Sequence, residues 1–163
     1  MLIRDIRNSD ADEVLAIYNH YISETVITFE ENVIDITEIK SRISRTLQKN
    51  FPWLIAQNQA NEVVGYAYGG VWKERAAYKH TVEATVYLSS DYIGKGIGFQ
   101  LYDALLGQLK EQGFHSVMGV ISLPNEGSVR LHEKLGFTKA AHFSEVGYKF
   151  NKWVDVGYWH KFL

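Results

Sequence analysis

Val86-Tyr87-Leu88-Ser89-Ser90-Asp91-Tyr92-Ile93-Gly94-Lys95-Gly96-Ile97-Gly98-Phe99-Gln100-Leu101-Tyr102 joins two kinds of secondary structure through a run of glycines. It enters as a strand, turns through Gly94, Gly96 and Gly98, and leaves as a helix in which Ile97, Leu101, Leu105 and Leu109 recur at every fourth position as far as Glu111. Glycines at such a turn let the backbone take unusual dihedrals and approach a ligand closely. The first N–H groups of the helix have no partner within it, and with the helix dipole they attract an anion, most naturally a phosphate. Lys95 adds positive charge. No Gly-Lys-Ser/Thr follows at the spacing of a Walker A loop, and Phe99 stands near the place where a dinucleotide fingerprint has its third glycine. A tight strand-to-helix turn accounts for the same glycines, so the stretch alone leaves both readings open.

Upstream, Tyr78–Leu88 reads as a strand whose side chains alternate between two faces. Tyr78, His80, Val82, Ala84, Val86 and Leu88 fall on one face, and Lys79, Thr81, Glu83, Thr85 and Tyr87 on the other. A polar face on a central strand calls for water or a ligand, because unpaired buried polar groups are costly. Glu83 is the one acid on that face. A simple pairing with a neighbouring lysine would explain it equally well. Lys73 and Arg75 lie two positions apart and point the same way if extended, which suits an anionic substrate group, and Arg can bind a carboxylate bidentately.

Downstream, Val117–Ile121 reads as a buried strand, and a short helix spans Asn125–Leu135 before Gly136, a favoured residue just past a helix end. Asn125, Ser128 and His132 share one face of that helix, and Asn125 is a natural N-cap. Two aromatic-rich strands follow near Phe143–Lys149 and Val154–Phe162. Toward the N-terminus the pattern predicts a strand at Leu2–Ile6, then a helix capped by Ser9 with Asp12 three residues on. A second helix spans Ile36–Leu47, and strands at Trp53–Ala56 and Val63–Tyr68 are joined by a polar turn at Asn58–Asn61. The order β-α-α-β-β-β-α-β-α-β-β requires a right-handed parallel crossover in the middle and hairpins on either side. The expected fold is α/β, a mixed sheet with helices on both faces.

The whole chain bounds the rest. Its 163 residues fit one domain, 1–163. A formal net charge of -2 with no basic cluster gives no footprint for nucleic acid. Without cysteine there is no disulfide, no thiolate-bound metal and no Cys nucleophile. The N-terminus lacks an apolar signal core, and no apolar run approaches the roughly 20 residues of a membrane span. The expectation is a cytoplasmic protein with no membrane or nucleic-acid partner.

The pieces converge on a known arrangement. The strand, glycine turn and helix of residues 86–102, with Asn125 and Leu131-His132-Glu133-Lys134-Leu135-Gly136-Phe137, resemble the signature of the GNAT N-acetyltransferase superfamily, and the element order agrees along the entire chain. A narrower resemblance, to the phosphinothricin and methionine-sulfoximine acetyltransferases, rests on dispersed stretches. These are Asn19-His20-Tyr21-Ile22, Phe51-Pro52-Trp53-Leu54, Tyr78 with Thr81–Tyr87, Leu123-Pro124-Asn125, Ser128-Val129-Arg130 and Trp153–Gly157.

The resemblance implies a centrally splayed sheet, acetyl-CoA as co-substrate, no metal, a small-molecule amine acceptor of acidic amino-acid type, and a homodimer. By it, the backbone of Val86, Tyr87 and Leu88 pairs with the pantetheine arm. Gly94, Lys95, Gly96, Ile97, Gly98 and Phe99 hold the pyrophosphate, while Asn125 and Lys134 meet other parts of the cofactor. Glu83 corresponds to the family's catalytic glutamate, and His132 is expected to assist it or to protonate the departing thiolate. Phe29, Lys73, Arg75, Tyr78, Thr85 and Tyr87 fall where the family binds its acceptor. The chain departs from the pattern in having Ile93 at the start of the turn, His132 where many members carry Tyr, and no glycine in the hairpin Lys149-Phe150-Asn151-Lys152. An acetyltransferase for a peptide N-terminus, a polyamine or an aminoglycoside, a CoA-binding module without turnover, and an inert α/β structural domain are the other readings. Lys73 and Arg75 weigh against a polycation, and Glu83 with His132 against a module without turnover.

Overall fold

The computed structural model describes residues 1–163. Seven strands, β1 (Leu2–Asp5), β2 (Trp53–Gln57), β3 (Val63–Val71), β4 (Thr81–Leu88), β5 (Ser116–Leu123), β6 (Thr138–Lys149) and β7 (Lys152–Phe162), form one sheet in the order β1-β2-β3-β4-β5-β7-β6. Helices α1 (Ala11–Glu24) and α2 (Ile36–Gln48) precede β2, α3 (Ile97–Glu111) connects β4 to β5, and α4 (Glu126–Lys134) connects β5 to β6. Every neighbouring pair is antiparallel except β4 and β5, the pair bridged by α3. A parallel pair needs such a crossover.

The faces are filled separately. The apolar stripe of α3, Ile97, Leu101, Leu105 and Leu109, packs with Val82, Ala84, Val117 and Trp159 on one face. On the other, Val14, Ile17 and Ile22 of α1 and Ile39 and Ile43 of α2 cover Trp53, Ile55 and Tyr66. The central feature is a splay. β4 and β5 pair only through Thr81↔Ser116, Val82↔Val117 and Glu83↔Met118, and diverge beyond that point. The separation leaves an open edge on each strand at the middle of the sheet.

Four local expectations are corrected. Ser9 does not cap α1: Asn8–Asp10 form a single tight turn, and the helix begins at Ala11 after Asp10, whose carboxylate is engaged elsewhere. It accepts from the Arg4 guanidinium at 2.8 and 2.9 Å and from the Arg7 N–H at 2.7 Å, which outweighs a local cap. β4 begins at Thr81, not Tyr78, because Ala76–Tyr78 wind into a tight turn; the alternation therefore does not extend to Tyr78. Nor are Lys73 and Arg75 on extended strand, since β3 ends at Val71. β6 also starts earlier, at Thr138, and is interrupted by irregularities at Lys139/Ala141 and Phe143/Gly147, where Glu145 takes a φ of 52°. Such breaks interrupt the two-residue period.

Asp10 and Arg4 form a nearly buried pair, with side-chain exposures of 6% and 13%. Removing one partner leaves the other uncompensated, so Asp10→Ala is expected to destabilise the fold by about 3 kcal/mol. Thermal or urea unfolding measures this. The Arg4 hydrogen bonds hold the Asp10 carboxyl below its ordinary value. The stabilisation is thus fully present above the unfolded value of about 3.9 and is lost as pH falls through the lower folded value.

Candidate active site

The open edge of β4 faces the gap in alternate residues. Ser89 N–H donates to the Val64 carbonyl of β3 at 2.9 Å, so the main-chain groups of odd-numbered residues here turn toward β3. The even-numbered residues turn the other way. The Ala84 carbonyl accepts from the Tyr102 hydroxyl at 3.1 Å, and the Leu88 carbonyl from the Tyr21 hydroxyl at 2.7 Å. Val86, between them, presents its N–H and C=O to the gap. The main chain of Tyr87 faces β3, and its ring packs against Tyr18, Tyr21 and Tyr66 at centroid distances of 5.4, 4.9 and 5.5 Å.

The gap is a cleft walled by Ala84–Tyr87 of β4, Val120–Ser122 of β5, and Asn125, Ser128 and His132 of α4, with Ile27 over it from the α1–α2 connection. The Ile27 segment is tied down at several points. Its carbonyl accepts from the Ser122 hydroxyl at 3.3 Å, and the Thr28 carbonyl from the buried Lys149 ammonium at 2.8 Å. Tyr18 bonds both Thr28 and Glu30, and Glu30 is held bidentately by Arg42. Phe29 lies against Gly147, where an added Cβ would come within 2.3 Å of its ring.

At one end of the cleft is the glycine turn. Gly94 and Gly96 both have φ of 78°, and a Cβ at either would meet nothing within 4 Å, so backbone conformation and not crowding selects glycine there. Gly96 is the N-cap of α3 and no side chain caps it. The first-turn N–H groups of α3 are therefore free to meet an anion, which fits the diphosphate of CoA. Lys95 Nζ lies 4.9 Å from the Tyr92 ring centroid, and Lys134 Nζ 4.9 Å from that of Phe99, so both cations flank the turn. Gly96→Ala forces a side chain into left-handed backbone at a cost of roughly 1–2 kcal/mol. We expect a roughly 5- to 30-fold rise in the KM for acetyl-CoA with little change in acceptor KM, read from steady-state kinetics.

At the point of divergence stands Glu83. It shares a face with Gly70 and Met118, its register partners on either side. Burial pushes its carboxyl above the ordinary value, opposed only by the charge of Lys73. A raised carboxyl beside a cleft has the character of a general base for near-neutral pH. Lys73 and Arg75 are exposed in the β3–β4 connection, and Lys73 Nζ sits 5.0 Å from the Trp72 ring centroid. Tyr78 is 44% exposed in the turn beyond them, and Thr85 pairs with Tyr68 across β3.

On the opposite face lies His132, 4% exposed. Its Nδ1 is 2.8 Å from the Ser128 carbonyl, which can only accept, so Nδ1 carries the proton. Burial lowers the imidazole pKa and keeps the ring neutral. Nε2 is then a bare acceptor, 3.1 Å from the Tyr102 hydroxyl, whose single proton is shared between it and the Ala84 carbonyl. Asn125 caps α4, its Oδ1 accepting from the Ser128 N–H at 3.1 Å. Tyr102, Ile27 and Gly70 were not singled out by the sequence. Tyr102 reads as one more residue of an apolar helix face, and nothing local marks the other two.

A mixed sheet splayed beside a phosphate-binding turn, with a half-buried glutamate at the apex, defines an acyl-CoA-dependent transferase. Residues 3–157 match the acetyltransferase (GNAT) domain, and the chain belongs to that family. It is 43% identical over 159 residues to a phosphinothricin N-acetyltransferase of Streptomyces viridochromogenes, covering 98% of this chain and 86% of that protein. Among solved structures, a phosphinothricin acetyltransferase from Sinorhizobium meliloti in complex with AcCoA superposes with a TM-score of 0.97 at 31% identity, covering 99% of this chain and 88% of the other. A ribosomal-protein-alanine N-acetyltransferase from Brucella melitensis superposes equally well, with a TM-score of 0.97 at 31% identity and complete coverage of both chains. No helix is long and apolar enough to cross a membrane.

Proposed function

We propose that this acetyltransferase moves the acetyl group of acetyl-CoA onto the primary amine of a small acidic amino acid of the phosphinothricin, methionine sulfoximine or methionine sulfone type. The observation that carries the reading is Glu83, a half-buried carboxylate at the apex of the splay, raised by burial and opposed only by the charge of Lys73. The thioester is already activated, so the protein's tasks are positioning, proton removal and charge stabilisation. Val86 offers its main-chain N–H and C=O to the pantetheine arm, with Asn125 on the far wall, and the 94–99 turn takes the diphosphate; the Leu88 carbonyl is already engaged by Tyr21. Glu83 removes a proton from the acceptor ammonium, directly or through water, and the free amine attacks the acetyl carbonyl. The Leu88 N–H, on the open edge, stabilises the developing oxyanion. Collapse of the tetrahedral intermediate breaks the C–S bond, and the CoA thiolate leaves to be protonated by solvent; His132, on the opposite face from Glu83 and bare at Nε2, can take the second proton of the attacking nitrogen and has none to give the thiolate. Lys73, Arg75 and Tyr78 meet the acceptor's carboxylate.

The proposed setting is a single-domain cytoplasmic enzyme acting as a homodimer. The exposed Phe143, Val146, Tyr148, Phe150 and Trp153 of the β6–β7 ribbon supply an apolar face for self-association. The test of the function is CoA thiol release with phosphinothricin, methionine sulfoximine, methionine sulfone, spermidine and an alanine-initiated peptide. Turnover confined to the amino-acid analogues is expected. Turnover with the peptide alone would replace the acceptor class, and with spermidine alone would remove the role given to Lys73 and Arg75.

A further inference from the structure

Gly70 has no structural reason to be glycine. It lies inside β3, where glycine weakens a strand, its φ is not in the left-handed region, and a Cβ added there meets nothing within 4 Å. What the missing side chain leaves is space, and the space is directly beside Glu83, its register partner on the same face. A glycine of this kind marks close approach by something outside the chain.

The space opens into a cavity of about 310 Å³ that none of the residues given roles above explains. Its floor is the aromatic stack of Trp53, Tyr66 and Tyr68, with Trp53 and Tyr68 at a centroid distance of 4.3 Å and an interplanar angle of 13°. Its outer wall is the C-terminal half of α2, bearing Arg42 and Arg45, with Lys49 at the helix C-cap. These cations differ. Arg42 is spent on Glu30 and Glu38, and Arg45 shares Glu38 at 3.4 Å. Lys49 takes part in none of the chain's ion pairs. The floor also contains one of the two buried side-chain polar atoms without a hydrogen-bond partner, Trp53 Nε1. From Glu83 on β4 to Trp53 on β2 is two strand spacings, roughly 10 Å, within the combined reach of an amino-acid side chain and an extended lysine.

We propose that the acceptor's side chain crosses Gly70 into this cavity, where Lys49, supported by Arg45, selects a negatively charged terminus. The inference rests on the acceptor class proposed above and deepens it. The α-carboxylate meets Lys73 and Arg75 on one side of Glu83, and the side chain meets Lys49 on the other. An acidic side chain such as a phosphinate is then favoured over the neutral sulfone of an otherwise similar amino acid by a cation some distance from the chemistry.

The test is steady-state acetylation of phosphinothricin and methionine sulfone by the wild-type chain, Lys49→Gln and Gly70→Val, monitored by thiol release. For Lys49→Gln the ratio of kcat/KM for phosphinothricin over methionine sulfone is expected to fall at least tenfold, the loss lying in the phosphinothricin KM. Gly70→Val, a change to a good strand former, is expected to raise both acceptor KM values at least tenfold while the acetyl-CoA KM stays within twofold. An unchanged ratio in Lys49→Gln would overturn the selection by charge, whatever Gly70→Val does. Unchanged acceptor KM values in Gly70→Val would overturn the placement of the side chain. A wild-type chain that acetylates neither amino acid would instead sink the acceptor class, and this inference with it, before any variant is compared.

Discussion

Glu83→Gln is expected to lower kcat/KM by roughly 10²–10⁴-fold, the range typical of a positioned general base. The substitution keeps size and polarity and removes only the ability to take a proton. Because Glu83 lies at the last register pair before the strands separate, with no hydrogen bond to the rest of the protein contributing to its titration, the change disturbs little else. Circular dichroism and the acetyl-CoA KM should match wild type. The pH profile carries a second signature. Burial raises the Glu83 carboxyl, and the base must be ionised to act, so the acid limb of kcat/KM should lie above the ordinary glutamate value of about 4.3. Activity is lost as pH falls through that raised value. A glutamine variant within a few-fold of wild type would remove the base role.

The second large effect is expected at Gly119, which is not charged, polar or exposed. It forms part of β5 just past the last β4–β5 pair, and an added Cβ would lie 2.4 Å from both Cδ2 and Nε2 of His132. Real atoms do not approach so closely, so Gly119→Ala must push the imidazole away. The ring cannot yield without breaking its 2.8 Å bond to the Ser128 carbonyl or its 3.1 Å contact with Tyr102. A shift of about 1 Å in a group lining the cleft can cost on the order of 10²-fold in rate. We expect that loss in kcat, with a smaller change in the KM for acetyl-CoA because the glycine turn is untouched. Thermal unfolding separates this from a folding defect. A second variant, Ser128→Ala, retains the Ser128 carbonyl that orients His132, and should keep most of the activity lost in Gly119→Ala.

Much of this site was legible in the chain because its pieces are local. Three glycines between a strand and an amphipathic helix announce an anion-binding turn. The alternation of Thr81, Glu83 and Thr85 against Val82 and Ala84 sets the acid on the polar face of its strand, and the structure packs the apolar face against α3. Asn125 as a cap of α4 follows from residue type and position, and the structure has that bond. What was illegible depends on contacts distant in sequence. Asp10 turns from capping to pairing because the fold brings Arg4 against it, and no local pattern encodes that choice. The α1–α2 connection passes over the cleft because Lys149, more than a hundred positions away, donates to Thr28. Gly70 and Gly119 look alike as strand glycines. Only the structure shows that one faces open space and the other the ring of His132. The hairpin without glycine is resolved similarly: Phe150 and Asn151 both adopt left-handed backbone, with φ of 51° and 57°, in a two-residue turn that glycine would have made less strained.

Incubating the protein with phosphinothricin and acetyl-CoA labelled in the acetyl group, and then locating the label, shows directly where the acetyl group goes. Label is expected on the α-nitrogen of the amino acid, in amounts equal to the CoA thiol released, with both absent in Glu83→Gln over the same interval. Label recovered as free acetate, with the amino acid unmodified, would contradict acetyl transfer to the amine.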